Sequence, residues 1–448
     1  MSASHPSSAS SGAAEQRPTP DAASRGALLV VFLTVFIDLL GFGIVLPVMP
    51  RQAEPYLAAL HFSPVAAGAA IGVLFSVFSL MQFIFSPLLG RISDRIGRRP
   101  MLILSLLGSV VFYALYGVAV MLPVEHAAAA LTIMLLSRVG AGIAGASVGT
   151  AAAVIADCTT PQNRARGMAL IGIAFGAGFT LGPLIAYFGL AVFRQRPGGV
   201  GALASLLSFI ALVIAALVFK ETRVPGARTA KEFPGVSRTA AVLRMPAVGV
   251  LVLVYFLSIF SFANFEATLA RLTESAFRMT DDDNFLVFAF IGLMLLFAGG
   301  LYRPLAKRFP ETRLLATGIM LMIIGLGSVG LVAWAVHGRE VGSTGTLERL
   351  FYAASAVAVA GFAFVNPSVS ALISKSASPD RQGEVLGVNQ SFASLGRILG
   401  PFCGSTLYAL HPSHALPFVV AVAVLCVVAA LMSRFGLRPG ETDQPAAP

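Results

Sequence analysis

Charge is scarce in this chain. Only 12% of its 448 residues are Asp, Glu, Lys or Arg, and 56% are hydrophobic. Soluble globular domains carry about a quarter charged residues, so that class is excluded. Cysteine is limited to Cys158, Cys403 and Cys426, all in or at the ends of apolar runs and none at metal-ligand spacing. A disulfide framework and a zinc centre are therefore excluded. The six histidines, His5, His61, His126, His337, His411 and His414, fall in tails or at run ends and make no metal set. Strict apolar–polar alternation is missing, which excludes a transmembrane barrel. Lysine occurs four times, at 220, 231, 307 and 375, among 31 basic residues. No nucleophile–base pair stands out, so no enzyme is expected, and neither a cofactor nor a metal is implied.

What the chain has instead is twelve apolar runs, at about 26–50, 66–89, 101–122, 127–156, 166–192, 199–219, 246–270, 284–303, 314–336, 349–374, 384–410 and 415–435. Each is close to the roughly 20 residues that cross a bilayer as a helix. The expected fold class is an all-α polytopic membrane protein with twelve transmembrane helices in two similar six-helix halves. With the N-terminus placed in the cytoplasm, the inside segments hold 22 basic residues and the outside segments 7. That asymmetry matches the positive-inside rule, and it accounts for the net charge of +10 without nucleic acid as a partner. A bacterial inner membrane with both termini cytoplasmic is expected, and a monomer.

The polar stretch from Lys220 to Met245, with Pro225, Gly226, Pro234 and Gly235, divides the runs six and six. The expected organisation is a disordered tail at 1–25, bundles at 26–219 and 246–436, a linker at 220–245 and a tail at 437–448. The first run is expected to be retained as a signal anchor. Thr160-Pro161 and Gly182-Pro183 return as Ser378-Pro379 and Gly400-Pro401, at an offset of 218. Two related membrane halves form a cavity near the midplane, here for a small-molecule substrate.

Few residues in the runs carry chemistry. Asp38 lies about 18 Å into the first run and Arg138 at a similar depth in the fourth. An unpaired carboxylate at that depth is costly. Either Asp38 binds a proton or cationic substrate in exchange for contact with Arg138, or the two form a fixed ion pair. Arg397 shares a helical face with Gln390 and Ser394, as a cavity cation or an interhelical partner. Glu266, near the outer end of its run, is a proton site or an interfacial group closing a polar network. Asn366 precedes Pro367, which should kink its helix. Gly140–Gly145 matches GxGxxG but lacks the preceding strand that a dinucleotide site requires. Gly178, Gly182 and Pro183, and likewise Gly400 and Pro401, suit close packing and bending.

The densest charge is the turn Gly90–Pro100, GRISDRIGRRP, with Arg91, Arg95, Arg98, Arg99 and Asp94 between two runs. It resembles the signature of the loop between helices 2 and 3 in the major facilitator superfamily. Leu135–Gly142 resembles that superfamily's helix-4 arginine motif, and Gly178–Pro183 the helix-5 motif of its antiporters. Asp38–Pro50, Arg138–Thr159 and Arg381–Pro401 resemble bacterial tetracycline-efflux transporters, whose further acids in helices 3 and 9 have no counterpart in SVVFYALYG and TGIMLMIIGLG. The resemblance implies alternating access and proton-driven efflux of an amphipathic compound; the alternatives are a proton-coupled uptake symporter of a small solute and a non-transporting membrane receptor or scaffold. It implies a cytoplasmic gate of Gly90, Asp94, Arg95, Gly97, Arg98 and Asp157. Arg98 would bridge Asp94 to Asp157, and Asp94 would meet the start of the eleventh helix. Lys307 replaces the gate's aspartate in the second half's copy of the turn, so the gate is expected in the first half only.

Overall fold

The computed structural model describes residues 22–159, 164–192, 196–222, 236–337, 345–376 and 382–434. The expected tail at 437–448, nearly all of that at 1–25, and the pairs Thr160-Pro161 and Ser378-Pro379 lie outside the described residues. Among the described residues the regular structure is helical. The first half holds α1 (Ala22–Val45), α2 (Met49–Ala59), α3 (Pro64–Ile96), α4 (Arg98–Ala119), α5 (Ala127–Ala144), α6 (Val148–Cys158), α7 (Arg164–Val192) and α8 (Gly199–Val218). A short α9 (Val236–Leu243) precedes α10 (Pro246–Phe277), α11 (Asp281–Ala306), α12 (Glu311–Val336), α13 (Gly345–Ser376), α14 (Gln382–Leu410) and α15 (Leu416–Arg434).

Among the described residues, ten helical spans are long and apolar enough to cross a membrane. The twelve expected runs correspond to these together with α7 and α14. Two expected boundaries are corrected. The first run was expected to continue to 50, yet α1 stops at Val45 and α2 starts anew at Met49. Pro47 and Pro50 supply no backbone N–H to the helical ladder there. The fourth run is two helices, α5 and α6, joined by a 3₁₀ turn at Gly145–Ser147, just after its string of glycines. Elsewhere the ends are set by local caps. Ser63 Oγ accepts from Ala66 N at 3.3 Å before Pro64, and Thr280 and Asp283 form a capping box on α11.

Within the halves α1 packs on α7 and α4 on α8, and correspondingly α10 on α14 and α12 on α15. Between the halves the main contacts are α3 with α14 and α7 with α11. The turn Gly97 marks one face of the bundle, the arginine face, and α2 the opposite one. Contact between halves concentrates toward the α2 face. Ser76 Oγ donates to Ile398 O at 2.6 Å and Thr180 Oγ1 to Gly292 O at 3.0 Å. A Cβ added at Gly72 would stand 2.8 Å from Phe402 Cα, and one at Gly292 2.6 Å from Thr180 Cα. Toward the arginine face of the same helices, a Cβ at Gly90, Gly176, Gly300 or Gly387 would meet nothing within 4 Å. The seam is closed on the α2 side and relaxed on the arginine side.

Candidate functional site

Asp38 sits about 24 Å along α1 and is 3% exposed. Ser109 Oγ of α4 donates to Oδ1 and Ser147 Oγ to Oδ2, each at 3.0 Å. The 3₁₀ turn between α5 and α6 is what delivers Ser147. Tyr113 OH donates to the Asp38 backbone carbonyl at 3.2 Å. Gly178 and Gly182 let α7 come against α1 on either side of this level, where a Cβ would stand 2.7 Å from Phe36 O and 2.9 Å from Leu40 O. Pro183 lies inside α7.

Arg138 is 2% exposed. Its Nε donates to Leu74 O at 3.4 Å, and its guanidinium lies over Phe78 at 4.6 Å and Phe42 at 5.6 Å. Aromatic faces stabilise a cation through their quadrupoles. Among the described residues no ion pair joins Asp38 to Arg138. The expected contact between them is therefore absent in this state: hydroxyls hold the acid, and rings with a carbonyl hold the base.

In the second half, Tyr255 OH on α10 bonds Asn366 Oδ1 on α13 at 2.9 Å. Arg397 Nη2 on α14 bonds Ser394 Oγ at 3.3 Å, within its own helix. Gln390 and Asn366 are exposed about 12–15 Å from the arginine-face ends of their helices. Glu266 lies further toward the α2 face, with Oε1 buried and without a hydrogen-bond partner. Gly400 and Pro401 repeat the α7 arrangement, with α14 packed on α10; a Cβ at Gly400 would stand 2.7 Å from Phe260 O. An apolar groove of about 420 Å³ between α12 and α13, lined by Ile324, Leu331 and Leu350, holds none of these residues.

At the arginine face, Arg98 bridges Asp94 Oδ1 at 2.5 Å and Asp157 Oδ2 at 3.2 Å, and also bonds Ser93 Oγ at 2.7 Å. Loss of surrounding water raises Asp157 above its ordinary 3.8, with Arg98 opposing. Gly97 has φ of +112°, and a Cβ there would stand 2.5 Å from Glu221 Oε2. Glu221 explains that contact: it accepts from the backbone N–H groups of Arg98 at 2.9 Å and Arg99 at 3.1 Å, so it caps α4. Gly90 O accepts from Ser93 Oγ at 2.7 Å. Arg95 lies in the last turn of α3. No bond from Asp94 to α14 is among the described interactions.

The second half carries a charge-reversed pair where the gate had been expected in the first half only. Glu311 opens α12 as Arg98 opens α4, and Lys375 ends α13 as Asp157 ends α6. Lys375 Nζ meets Glu311 Oε2 at 2.7 Å. At the α2 face, Arg51 reaches Glu274 at 3.4 Å and Asp281 at 3.2 Å. Reciprocally, Arg271 reaches Glu54 at 3.3 Å and lies 4.6 Å over Tyr408. The three contacts at the α2 face cross between halves. Sequence reasoning missed them, although Arg51 and Arg271 were already exceptions to the inside bias of positive charge. Ser109 and Ser147 gave no signal in sequence.

A major facilitator superfamily model matches residues 31–401 and 286–448. The chain belongs to that superfamily. It is similar to mouse major facilitator superfamily domain-containing protein 10, 30% identical over 474 residues, covering 96% of each chain. It is also similar to the Escherichia coli class C tetracycline resistance protein, 29% identical over 409 residues, covering 90% of this chain and 96% of that one. Among solved structures, the human organic anion transporter MFSD10 matches with TM-score 0.60 and 27% identity, over 93% of this chain and 100% of that one. The D-xylose–proton symporter shares the fold, with TM-score 0.73 at 18% identity, over 94% and 99%. The protein is thus a multi-pass membrane transporter of two pseudo-symmetric six-helix halves, acting on a small molecule.

Proposed function

We propose that this transporter exports amphipathic, drug-like molecules by alternating access, driven by proton entry at Asp38. The observation that carries this reading is the Asp38 carboxyl, buried mid-span between two serine hydroxyls with no cation paired to it. Such a group is far cheaper neutral than charged in a bilayer, and a protonated carboxyl can donate to either hydroxyl. The likeness to tetracycline resistance proteins supports export. The charge distribution supports a cytoplasmic arginine face with both termini inside, so the state described here opens inward; the likeness to bacterial tetracycline resistance proteins supports a bacterial inner membrane. The protein acts as a monomer and catalyses no covalent reaction. Proton and substrate shift the two states only through their differential affinities for them.

A specific observation favours a second reading. Arg138 and Arg397 are mid-span cations with no carboxylate paired to them among the described residues, an arrangement suited to an organic anion, and a solved relative is a human organic anion transporter. Protonating Asp38 removes a negative charge, so a proton and an anion bind together. That linkage gives symport rather than exchange.

The test is flux of an amphipathic drug panel in proteoliposomes under imposed pH gradients of either sign. Export predicts substrate moving against the proton, and symport predicts substrate moving with it. Gradient-driven flux at the wild-type rate in Asp38→Asn would sink the proton assignment under either reading.

A further inference from the structure

The turn between α11 and α12 matches the Gly90–Pro100 turn in position but uses its charges differently. In the first half Arg98 is paired with Asp94 and Asp157, and Arg99 Nη2 donates to Ala216 O at 2.9 Å. In the second half Lys307, Arg308 and Arg313 are exposed, and among the described residues none of the three has an ion pair or a side-chain hydrogen bond. The acid of this turn, Glu311, is taken by Lys375. Phe309 stands 44% exposed between the cations. The depth of the turn follows from α12. Arg313, Thr317, Met320, Ile324, Leu331 and Trp334 are exposed at helical spacing and form one row. Beyond Thr317 the row is apolar, a face suited to lipid. Arg313 and Trp334 are 21 residues apart, about 32 Å along the helix, against roughly 30 Å of hydrocarbon in a bilayer. Tryptophan favours the membrane–water interface, so with Trp334 at one interface the turn stands among the headgroups of the other.

An exposed benzyl group is disfavoured in water and settles at the boundary of headgroups and acyl chains. Cations beside it at that level meet lipid phosphates. We propose that the α11–α12 turn binds anionic phospholipid headgroups in the leaflet at the arginine face, through Lys307, Arg308 and Arg313, with Phe309 seated at the top of the acyl chains. Basic clusters at the ends of membrane helices recognise such headgroups by charge. The first-half turn is a poorer site, because its Arg98 and Arg99 are already engaged within the protein. Arg303 lies outside the site. It stands about three turns on from Gly292 and so shares that residue's side of α11, the side that meets Thr180 of α7.

Full-length protein, purified in detergent and stripped of lipid, tests this with fluorescent phosphatidylglycerol, fluorescent phosphatidylcholine and soluble glycerol phosphate as probes. Phosphatidylglycerol should bind more tightly than phosphatidylcholine, weaken with added salt and resist displacement by glycerol phosphate. Lys307→Gln, Arg308→Gln and Arg313→Gln should each weaken its binding about fivefold and leave phosphatidylcholine unchanged, whereas Phe309→Ser should weaken both lipids. Arg308→Lys, which keeps the charge, should bind as wild type does, and it stands in if a glutamine variant does not fold. Arg303→Gln removes the same charge away from the site and should change binding by less than about twofold. Equal binding of the two lipids, displacement by glycerol phosphate at equal concentration, or a loss in Arg303→Gln as large as in Arg308→Gln overturns the proposal.

Discussion

Glu221 and Gly97 lock together at the mouth of α4. The glutamate occupies the space where a Cβ at 97 would sit, and the positive φ of +112° is strained for any other residue. Gly97→Ala should lower stability by about 1–3 kcal/mol, measured as denaturation of the purified protein in detergent; an unchanged midpoint would show that the turn relaxes freely. Asp157 makes a pH prediction. Its value in the fold lies above the ordinary 3.8, so the fold binds its proton more tightly than the unfolded chain does. Its contribution is fully present below the unfolded value and is lost as pH rises through the folded one. The stability of wild type relative to Asp157→Asn should therefore be greatest under acid and decline with rising pH. A difference that grows with pH would contradict the raised value. Asp38, Arg138 and Arg397 were legible in sequence because a charge inside an apolar run stands out. Ser109, Ser147 and Glu221 were not: a serine in a membrane helix is ordinary, and only packing brings it to a carboxylate.

Among the elements, the α2-face ion pairs deserve a functional role because all cross between halves. Arg51 engages α10 and α11 while Arg271 engages α2, so the contact is reciprocal. Each pair is partly solvated, and such pairs contribute modestly. Removing both contacts of Arg51 should release roughly 1 kcal/mol, a change of about fivefold in the ratio of states. Arg51→Glu should thus raise the population open on the α2 side, read from distances between spin labels placed on the two halves. The exchange Arg51→Glu with Glu274→Arg should restore it in part. Equal distance distributions in all three proteins would reduce these pairs to surface decoration. The helices themselves were legible from run length alone. The split of the fourth run was not, because its 3₁₀ turn interrupts apolar residues without changing composition.

At the scale of the whole molecule, the superfamily and the two-half architecture were readable from the apolar runs, the 218-residue offset and the arginine turn. Which side stands open was not, since that depends on contacts such as Ser76 with Ile398 and Thr180 with Gly292 that join distant parts of the chain. Neither was the polarity swap between Arg98–Asp157 and Glu311–Lys375, because the matching turn carries Lys307 in place of an acid and conceals the pair one helix away. The molecule that emerges has charged contacts at both faces and a single buried acid at the centre of its first half. We propose that proton movement through Asp38 drives transport. The most direct measurement is proton flux, read from a trapped pH dye, in proteoliposomes exposed to the drug panel, for wild type and Asp38→Asn. Wild type should move protons when at least one compound is supplied, with Asp38→Asn folded but silent; substrate-dependent proton flux of wild-type size in Asp38→Asn would contradict it.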